Sequence, residues 1–452
     1  MKKNYLLGMA LMASLSFNSC DKEVVYVQDG TGVESVADGA QIITLQVENG
    51  GDGLATRAGR PLYSAEAKQT IENVKLWICD KAGNVKYVTT ISNWDKDGST
   101  PYTTGGHGRQ KTIELKDADK LAAGTYKIYA VGYSATSDYT MTAVTDVKKT
   151  EEGPSKYTFN ENMVLTCSTA GEEIFAGQME LPVEKGKGFK KPVVLNRQVA
   201  GAFAYVKDIP FMEGAKYLKL VASAQNQSLV LGNFNSFDLT GNGSGNANVK
   251  YVVNGTNGKS GSETYVISTI DLNEWFTAIK DEDGDNLIDA GENWKNPRRP
   301  SGSPAAGTYP TFQKGSAFGG EFVIPFAHVD GKQTLTLQLT NADGTTVLRS
   351  WKVNLGSADE QLKQTITCWN SGSTDWSTSL SGESSSTYSL VRNHLYGIGT
   401  RMNDEANPEK PGVDPDPNPE NPNDKPESLN NKQELVLKVN DNWEVIHGME
   451  LD

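Results

Sequence analysis

The sequence predicts an all-β protein built from two tandem β-sandwiches, with a separate strand at the C-terminal end. Apolar and β-branched residues occur in short runs, separated about every ten residues by clusters of Gly, Asn, Asp and Ser. Long amphipathic helical patterns are nearly absent. With 452 residues, the chain is long enough for two or three domains that each bury a core. Many short strands with turn signals are typical of β-sandwiches.

These runs place the strands along the chain. The clearest hairpin joins residues 74–79 to residues 85–91 through a turn whose Gly83 and Asn84 tolerate positive φ angles. Further strands are predicted at residues 124–133, 191–195, 202–207, 217–222, 265–270, 321–326, 334–339, 346–353 and 388–390. One set of predicted strands ends near residue 198, and another begins directly after it. We therefore assign the first sandwich to residues 58–198 and the second to residues 199–401.

The amino terminus predicts export as a lipoprotein. Two lysines precede an apolar run, residues 6–17, that is too short to span a bilayer as a mature helix and is typical of a secretory signal. The predicted signal peptide, residues 1–19, ends with the small residue Ser19 directly before Cys20. Polar residues follow at once. This pattern favours diacylation of Cys20 over an ordinary signal with an incidental cysteine.

Composition excludes several classes of function. A formal net charge of −13 argues against a nucleic-acid partner. If Cys20 carries lipid, the other cysteines form an odd, scattered set and no disulfide framework. The histidines lack metal-ligand spacing and no catalytic motif is found, so we do not predict an enzyme. Residues 105–112 lack the glycine that a phosphate loop needs before its lysine, and are predicted to form a hairpin tip.

The chain ends in a linker and a terminal strand. Residues 402–432 contain seven prolines among Asp, Asn and Glu, which is typical of an extended, solvated linker. At about 3.1 Å per residue in polyproline II form, it could span up to about 95 Å. In residues 433–452, Leu435, Leu437 and Val439 alternate along a strand, with Trp443 and Val445 beyond. An isolated amphipathic strand is unstable, so this one must pair.

A similar strand lies near the amino terminus, where Ile43, Leu45 and Val47 alternate. The loop after it contains the Arg57-Ala58 bond among small residues, which a trypsin-like protease can cut. A proline after Arg60 hinders cleavage there.

Several segments, taken in order along nearly the whole chain, resemble the fimbrillins, or type V pilins, of Gram-negative anaerobes. Besides the lipobox and Arg57-Ala58, they are residues 121–131 (LAAGTYKIYAV), 195–200 (LNRQVA) and 391–396 (VRNHLY). The resemblance implies that the two sandwiches are transthyretin-like, which agrees with the number of predicted strands.

The resemblance also implies a route of assembly. Residues 20–57 would be a lipidated propeptide that an arginine-specific protease removes at the outer membrane, taking the leaving strand of Ile43, Leu45 and Val47 with it. The donor strand of a neighbouring copy, residues 433–452, would then fill the open groove by strand addition. The implied partners are other copies, accessory and anchor pilins, and the membrane through the lipid. A host protein or glycan would be met by the extracellular fimbrium.

Three alternatives stay open at this stage. The acidic linker is longer than expected for a stalk pilin, so the tail could fold back onto its own domain and not act on a neighbour. A tip adhesin would use the loops at residues 241–261 and 295–320. A surface glycan-binding lipoprotein would use exposed tryptophans, although scattered tryptophans in sandwiches usually belong to the core. Arg197 and Arg392 are expected at the surface, with buried ion pairs as the alternative.

Residues 281–292 match the ligand spacing of a calcium-binding loop. Oxygen ligands are provided at relative positions 1, 3, 5, 9 and 12 by carboxylates and at position 7 by a backbone carbonyl. These residues are Asp281, Asp283, Asp285, Leu287, Asp289 and Glu292. Asn286 replaces the usual glycine but tolerates the left-handed conformation. We predict a structural calcium ion here, with a solvated acidic loop as the alternative, and no other cofactor.

Overall fold

The computed structural model is almost entirely β-structure, and the predicted all-β sandwich class is confirmed. It describes residues 26–28, 34–36, 39–49, 71–101, 107–135, 137, 159–160, 163–166, 172–231, 252–256, 258–288, 293–295, 313–327, 335–355, 366–380, 389–399, 426–430 and 434–442. No helix within these residues has the length and apolar character needed to cross a bilayer.

Twenty-five strands are described. They are β1 (Tyr26–Gln28), β2 (Glu34–Val36), β3 (Gln41–Asn49), β4 (Asn73–Asp80), β5 (Val85–Ile91), β6 (Thr100–Pro101), β7 (His107–Leu115), β8 (Gly124–Tyr133), β9 (Met163–Thr166), β10 (Phe175–Val183), β11 (Phe189–Arg197), β12 (Ala200–Lys207), β13 (Ala215–Gln225), β14 (Ser228–Leu231), β15 (Val252–Val253), β16 (Gly255–Thr256), β17 (Lys259–Asp271), β18 (Ala317–Val323), β19 (Leu335–Asn341), β20 (Val347–Leu355), β21 (Ile366–Asn370), β22 (Asp375–Leu380), β23 (His394–Ile398), β24 (Glu427–Ser428) and β25 (Glu434–Asn442). A short helix, α1 (Leu272–Trp275), and a 3₁₀ turn at Asp117–Asp119 complete the set.

The first sandwich consists of strands that precede residue 198. Their order is β5-β4-β8-β10-β11-β3-β7-β6, with the β1–β2 hairpin attached to β11 through Lys190 and Glu34. Strands β10 and β11 pair only at Phe175–Arg197 and Ala176–Asn196, so the sheet folds over there into two layers of four strands. Apolar side chains from both layers fill the space between them. They include Ile43, Leu45, Val47, Leu76, Ile78, Ile128, Phe175, Val193 and Leu195.

The second sandwich uses strands after residue 199. Their order is β17-β13-β19-β20-β25-β23-β12-β18. The last part of the predicted solvated linker, residues 402–432, is packed and not solvated, because β24 pairs in parallel with β12 and Leu429 is buried. Strands β20 and β25 pair only from Lys352–Glu434 to Leu355–Leu437, where this sheet also passes from one layer to the other. The core includes Phe203, Tyr205, Leu218, Leu220, Leu337, Leu339, Trp351, Tyr396 and Ile398.

The two sandwiches share a buried boundary. Strand β9 precedes residue 198 in the chain but pairs with β14, which follows it, in a separate three-stranded sheet of order β16-β14-β9. Trp77 and Tyr129 lie on the outer face of the first sandwich and contact Phe159. The ring of Phe159 stacks on that of Tyr129 at a centroid distance of 4.1 Å. All three side chains join the same apolar cluster as Val199. The sandwiches are therefore packed together and not strung on a flexible linker.

Three predicted segments differ from the structure. In the strand predicted at residues 388–390, the described residues form only an isolated bridge between Leu390 and Phe326. Residues 105–112 are not a hairpin tip, because residues from His107 onward form β7; the side chain of Arg109 donates to the carbonyl oxygen of Trp94 at 2.8 Å. The strand predicted at residues 321–326 begins earlier, at Ala317. Gly319 lies within this strand, and a Cβ there would lie 2.7 Å from Cγ1 of Ile270. The glycine permits close packing of β18 on β17.

Candidate functional site

Strand β3, the predicted leaving strand, lies inside the first sandwich with both of its edges paired. It runs parallel to β11, in register from Gln41–Phe189 to Val47–Leu195. On its other side it runs antiparallel to β7, from Gln41–Leu115 to Asn49–His107. Because both ladders depend on β3, its removal would separate two neighbouring strands and expose their backbone groups.

The inward face of β3 is part of the core. Ile43, Leu45 and Val47 are each 0% exposed. Burying an aliphatic side chain of this size contributes about 1.5–3 kcal/mol, so the three together contribute roughly 5–9 kcal/mol. Loss of β3 would leave an apolar groove between β11 and β7.

Gln41 begins this strand with a buried side-chain amide that acts as a clamp. Its Nε2 donates to the carbonyl oxygen of Leu121 at 2.9 Å, and its Oε1 accepts from the backbone N–H of Leu121 at 2.7 Å. The two bonds satisfy both backbone groups of Leu121. Gln41 lies in phase with Ile43, Leu45 and Val47 along the strand, and this alternation is the sequence signal of its inward position.

Strand β25, within the predicted donor segment, lies in the second sandwich of its own chain. It runs parallel to β20 on one side and antiparallel to β23 on the other, where Leu437 is opposite Ile398 and Val439 is opposite Tyr396. Leu435 is buried in the core. The sequence left open whether the tail acts on its own domain or on a neighbour; in the single chain it completes its own sheet.

The two terminal strands thus have the same pairing polarity. Each is parallel to one neighbour and antiparallel to the other. The remaining predicted residues of this mechanism, Cys20, Arg57, Ala58, Trp443 and Val445, lie outside the described residues.

The acidic loop brings three of its predicted calcium ligands together. One carboxylate oxygen from each of Asp281, Asp283 and Asp285 lies within 4.8 Å of the others. The left-handed Asn286 (φ 66°) allows the turn, and its backbone N–H donates to Asp281 at 3.1 Å. Lys280 hydrogen-bonds Glu282 and lowers the pKa of that carboxyl group, which is outside the cluster.

The predicted calcium ligands also include Leu287, Asp289 and Glu292. The loop is held to the second sandwich by Leu287, which bridges to Pro210. Asp289 and Glu292 lie outside the described residues.

A buried polar cluster joins the sandwiches. Arg197 is not at the surface as expected: it pairs with Glu173 at 2.5 Å, and the two side chains are 2% and 1% exposed. Arg392 is also buried and donates to Oε1 of Gln198 at 3.3 Å. The segments 195–200 and 391–396, which carried the family resemblance, therefore meet in space, and the N–H of Asn393 donates to the carbonyl oxygen of Val199.

Most described tryptophans belong to the core. Trp77, Trp94, Trp275 and Trp351 are buried. Trp369 and Trp376 are half-buried and form a cross-strand pair on β21 and β22, with ring centroids 5.3 Å apart and planes at 67°. This T-shaped pair stabilises its hairpin by edge-to-face contact.

The fold defines a class of protein: an all-β chain of two packed sandwiches, each completed by one strand from an end of the chain. No family model matches the sequence, and no curated protein matches it.

Solved structures to which this chain is similar include fimbrial proteins. The fimbrial anchor protein Mfa2 from Porphyromonas gingivalis is 10% identical, with a TM-score of 0.33; the match covers 77% of this chain and all (100%) of Mfa2. A fimbrial assembly protein from Parabacteroides distasonis is also 10% identical, with a TM-score of 0.33, and the match covers 79% of this chain and 90% of that protein. At these TM-scores the likeness says nothing about mechanism, so the function proposed below is derived from this chain's own strands.

Proposed function

We propose that this protein is a structural subunit, of the stalk type, of a cell-surface fimbrium that serves adhesion. It is exported as a lipoprotein through Cys20, cleaved at Arg57 outside the outer membrane and polymerised by exchange of β3 for the donor strand of another copy. The observation that carries this proposal is β3: a strand with both edges paired and its inward face fully buried, ahead of a cleavable arginine in the sequence.

The position of β25 adds a step to this mechanism. The tail must leave its own sheet before it enters a neighbour's, and its removal would separate β20 from β23. β24 would also have to leave β12 before residues 402–432 can supply the length of chain for that movement. Cleavage at Arg57 makes the exchange favourable, because the groove between β11 and β7 then has no strand covalently tied to it.

Cleavage of the full-length chain by an arginine-specific protease is expected to give a ladder of oligomers on a gel of unboiled samples, and filaments by electron microscopy. Arg57→Ala should leave the protein monomeric after the same treatment. Arg60→Ala is the matched control and should assemble as the natural chain does, because Pro61 already hinders that bond. Assembly of Arg57→Ala to the same extent would contradict processing at this residue.

A cysteine pair tests whether the tail is the donor without truncating the chain. Leu395 and Asp441 are opposite each other in the β23–β25 ladder, so Leu395→Cys with Asp441→Cys can lock β25 in its own sheet. The cleaved, oxidised variant should stay monomeric and should assemble when a reductant is added. Oligomers formed under oxidising conditions would exclude β25 as the exchanging strand.

A tip adhesin with the same fold is the second candidate. The tail's position in its own sheet favours it, because a tip subunit has no need to donate a strand outward. If the cleaved natural chain forms no oligomers in the absence of other subunits, that result would support a tip adhesin. A glycan-binding lipoprotein has less support, since the buried tryptophans at positions 77, 94, 275 and 351 are not available to stack on a sugar.

We also propose that residues 281–292 bind calcium as a structural clamp. Millimolar calcium is then expected to raise the Tm of the uncleaved protein, by the stabilisation that any ligand specific for the folded state provides. Asp283→Asn keeps the size of the side chain but removes one converging charge, and should abolish the rise. Glu282→Gln removes a charge from the same loop outside the cluster and should preserve it. Equal Tm values with calcium and with a chelator would show a solvated acidic loop.

A further inference from the structure

The donor segment repeats the side-chain pattern of β3, including its first residue. Setting residues 433–441 on residues 41–49 aligns Leu435 with Ile43, Leu437 with Leu45 and Val439 with Val47. In the same alignment Gln433 falls on Gln41. The match matters because Gln41 makes the buried two-bond clamp on Leu121 and is lost from the subunit when β3 leaves.

We propose that Gln433 of one copy replaces Gln41 in the next, with its side-chain amide bonding the backbone N–H and C=O of Leu121, and that this clamp sets the register of the donor strand. The inference rests on the proposed strand exchange and names the residue that positions it. After β3 leaves, the N–H and C=O of Leu121 lose the two bonds from Gln41, and a buried backbone group left without a partner is costly.

Apolar side chains alone do not select one register. Leu435, Leu437 and Val439 are similar in size, and a slide by two residues would still place aliphatic groups in two of the three positions left by Ile43, Leu45 and Val47. The same slide would place Gln433 in an apolar position or beyond the groove. Only the register that superposes Gln433 on Gln41 both fills the three apolar positions and provides the hydrogen bonds to Leu121.

The pairing polarity agrees with this alignment. In its own sheet β25 is parallel to β20 and antiparallel to β23, as β3 is to β11 and β7. The donor can therefore enter the groove in the orientation of β3. In the proposed register Lys438 takes the place of Gln46, which is opposite Gln110 of β7.

Peptide binding tests the clamp in the full-length protein that is cleaved at Arg57 and held monomeric by the oxidised Leu395→Cys and Asp441→Cys pair. A fluorescent peptide of residues 430–442 should bind the cleaved protein and not the uncleaved one, as measured by anisotropy. Gln433→Ala in the peptide should weaken binding about 10- to 100-fold, since both bonds to Leu121 are lost. Lys432→Ala, just outside the aligned segment, should have no effect, and Leu437→Asn should abolish binding.

These variants separate the two proposals. If Gln433→Ala binds as tightly as the natural peptide while Leu437→Asn does not bind, strand exchange stands and the clamp is overturned. If the natural peptide binds neither form, both proposals fail.

Cross-linking checks the register directly. A Lys438→Cys peptide should form a disulfide with a Gln110→Cys protein in preference to a Thr112→Cys protein, which a two-residue slide would favour. Gln433→Ala in the peptide should reduce this preference. Preferred cross-linking of the natural-Gln433 peptide to Thr112→Cys would overturn the proposed register.

Discussion

Replacing Leu45 by alanine is expected to lower the free energy of unfolding of the uncleaved protein by about 2–5 kcal/mol, and to leave the assembled fibre unchanged. Leu45 is fully buried in the first sandwich, so the substitution leaves a cavity in the precursor. Under the proposed mechanism β3 is absent from the fibre, where Leu437 of a neighbour takes its place. Denaturant unfolding of the precursor and the temperature at which filaments dissociate measure the two effects.

Leu195→Ala is the matched control for this experiment. Leu195 lies on β11, is buried in the same core and remains in the chain after cleavage at Arg57. It should weaken the precursor and the fibre alike. A Leu45→Ala fibre that dissociates as early as the Leu195→Ala fibre would mean that β3 stays in the assembled subunit.

The second large effect is expected at the buried ion pair. Arg197→Ala should lower the free energy of unfolding by about 3–5 kcal/mol, because it leaves the carboxylate of Glu173 buried without its guanidinium partner. The guanidinium also lies over the ring of Phe175 at 4.8 Å, a contact that is lost as well. Urea unfolding of the uncleaved protein gives the measurement.

Two comparisons isolate the electrostatic part. Replacing both partners, Arg197→Met with Glu173→Gln, should cost much less than Arg197→Ala, since no unpaired charge is then buried. Lys187→Ala breaks an exposed pair with Glu184, whose side chains are 58% and 62% exposed, and should change stability by at most about 1 kcal/mol. A similar loss for Lys187→Ala and Arg197→Ala would contradict the role assigned to burial.

The periodicity of the sequence was a good guide to the individual strands. The predicted hairpin at residues 74–91 matches β4 and β5, and residues 124–133 coincide with β8. Successive side chains of a strand face opposite sides of the sheet. In a half-buried strand, apolar and polar residues therefore alternate, and the apolar ones identify the inward face. It failed for β7, whose polar residues 109–111 look like a loop.

The clamp and the ion pair show why side-chain partners were harder to predict. Gln41 and Leu121 are 80 residues apart, and Arg197 and Glu173 are 24 apart. The sequence does not show whether the side chain of a glutamine or an arginine is hydrogen-bonded to water or to a distant group of the chain. Its burial is decided only when the layers close over it.

The sequence by itself determined that the chain is all-β and that residues 43–47 and 435–439 lie in strands. Only the tertiary structure decided where those strands go: β3 between β11 and β7, and β25 between β20 and β23 of its own chain. The physical reason is that the alternation of apolar and polar residues specifies which face of a strand is buried. It does not specify the neighbouring strand, because the backbone hydrogen bonds between strands are the same for nearly every residue. The neighbour is selected by cores that are assembled from distant parts of the chain.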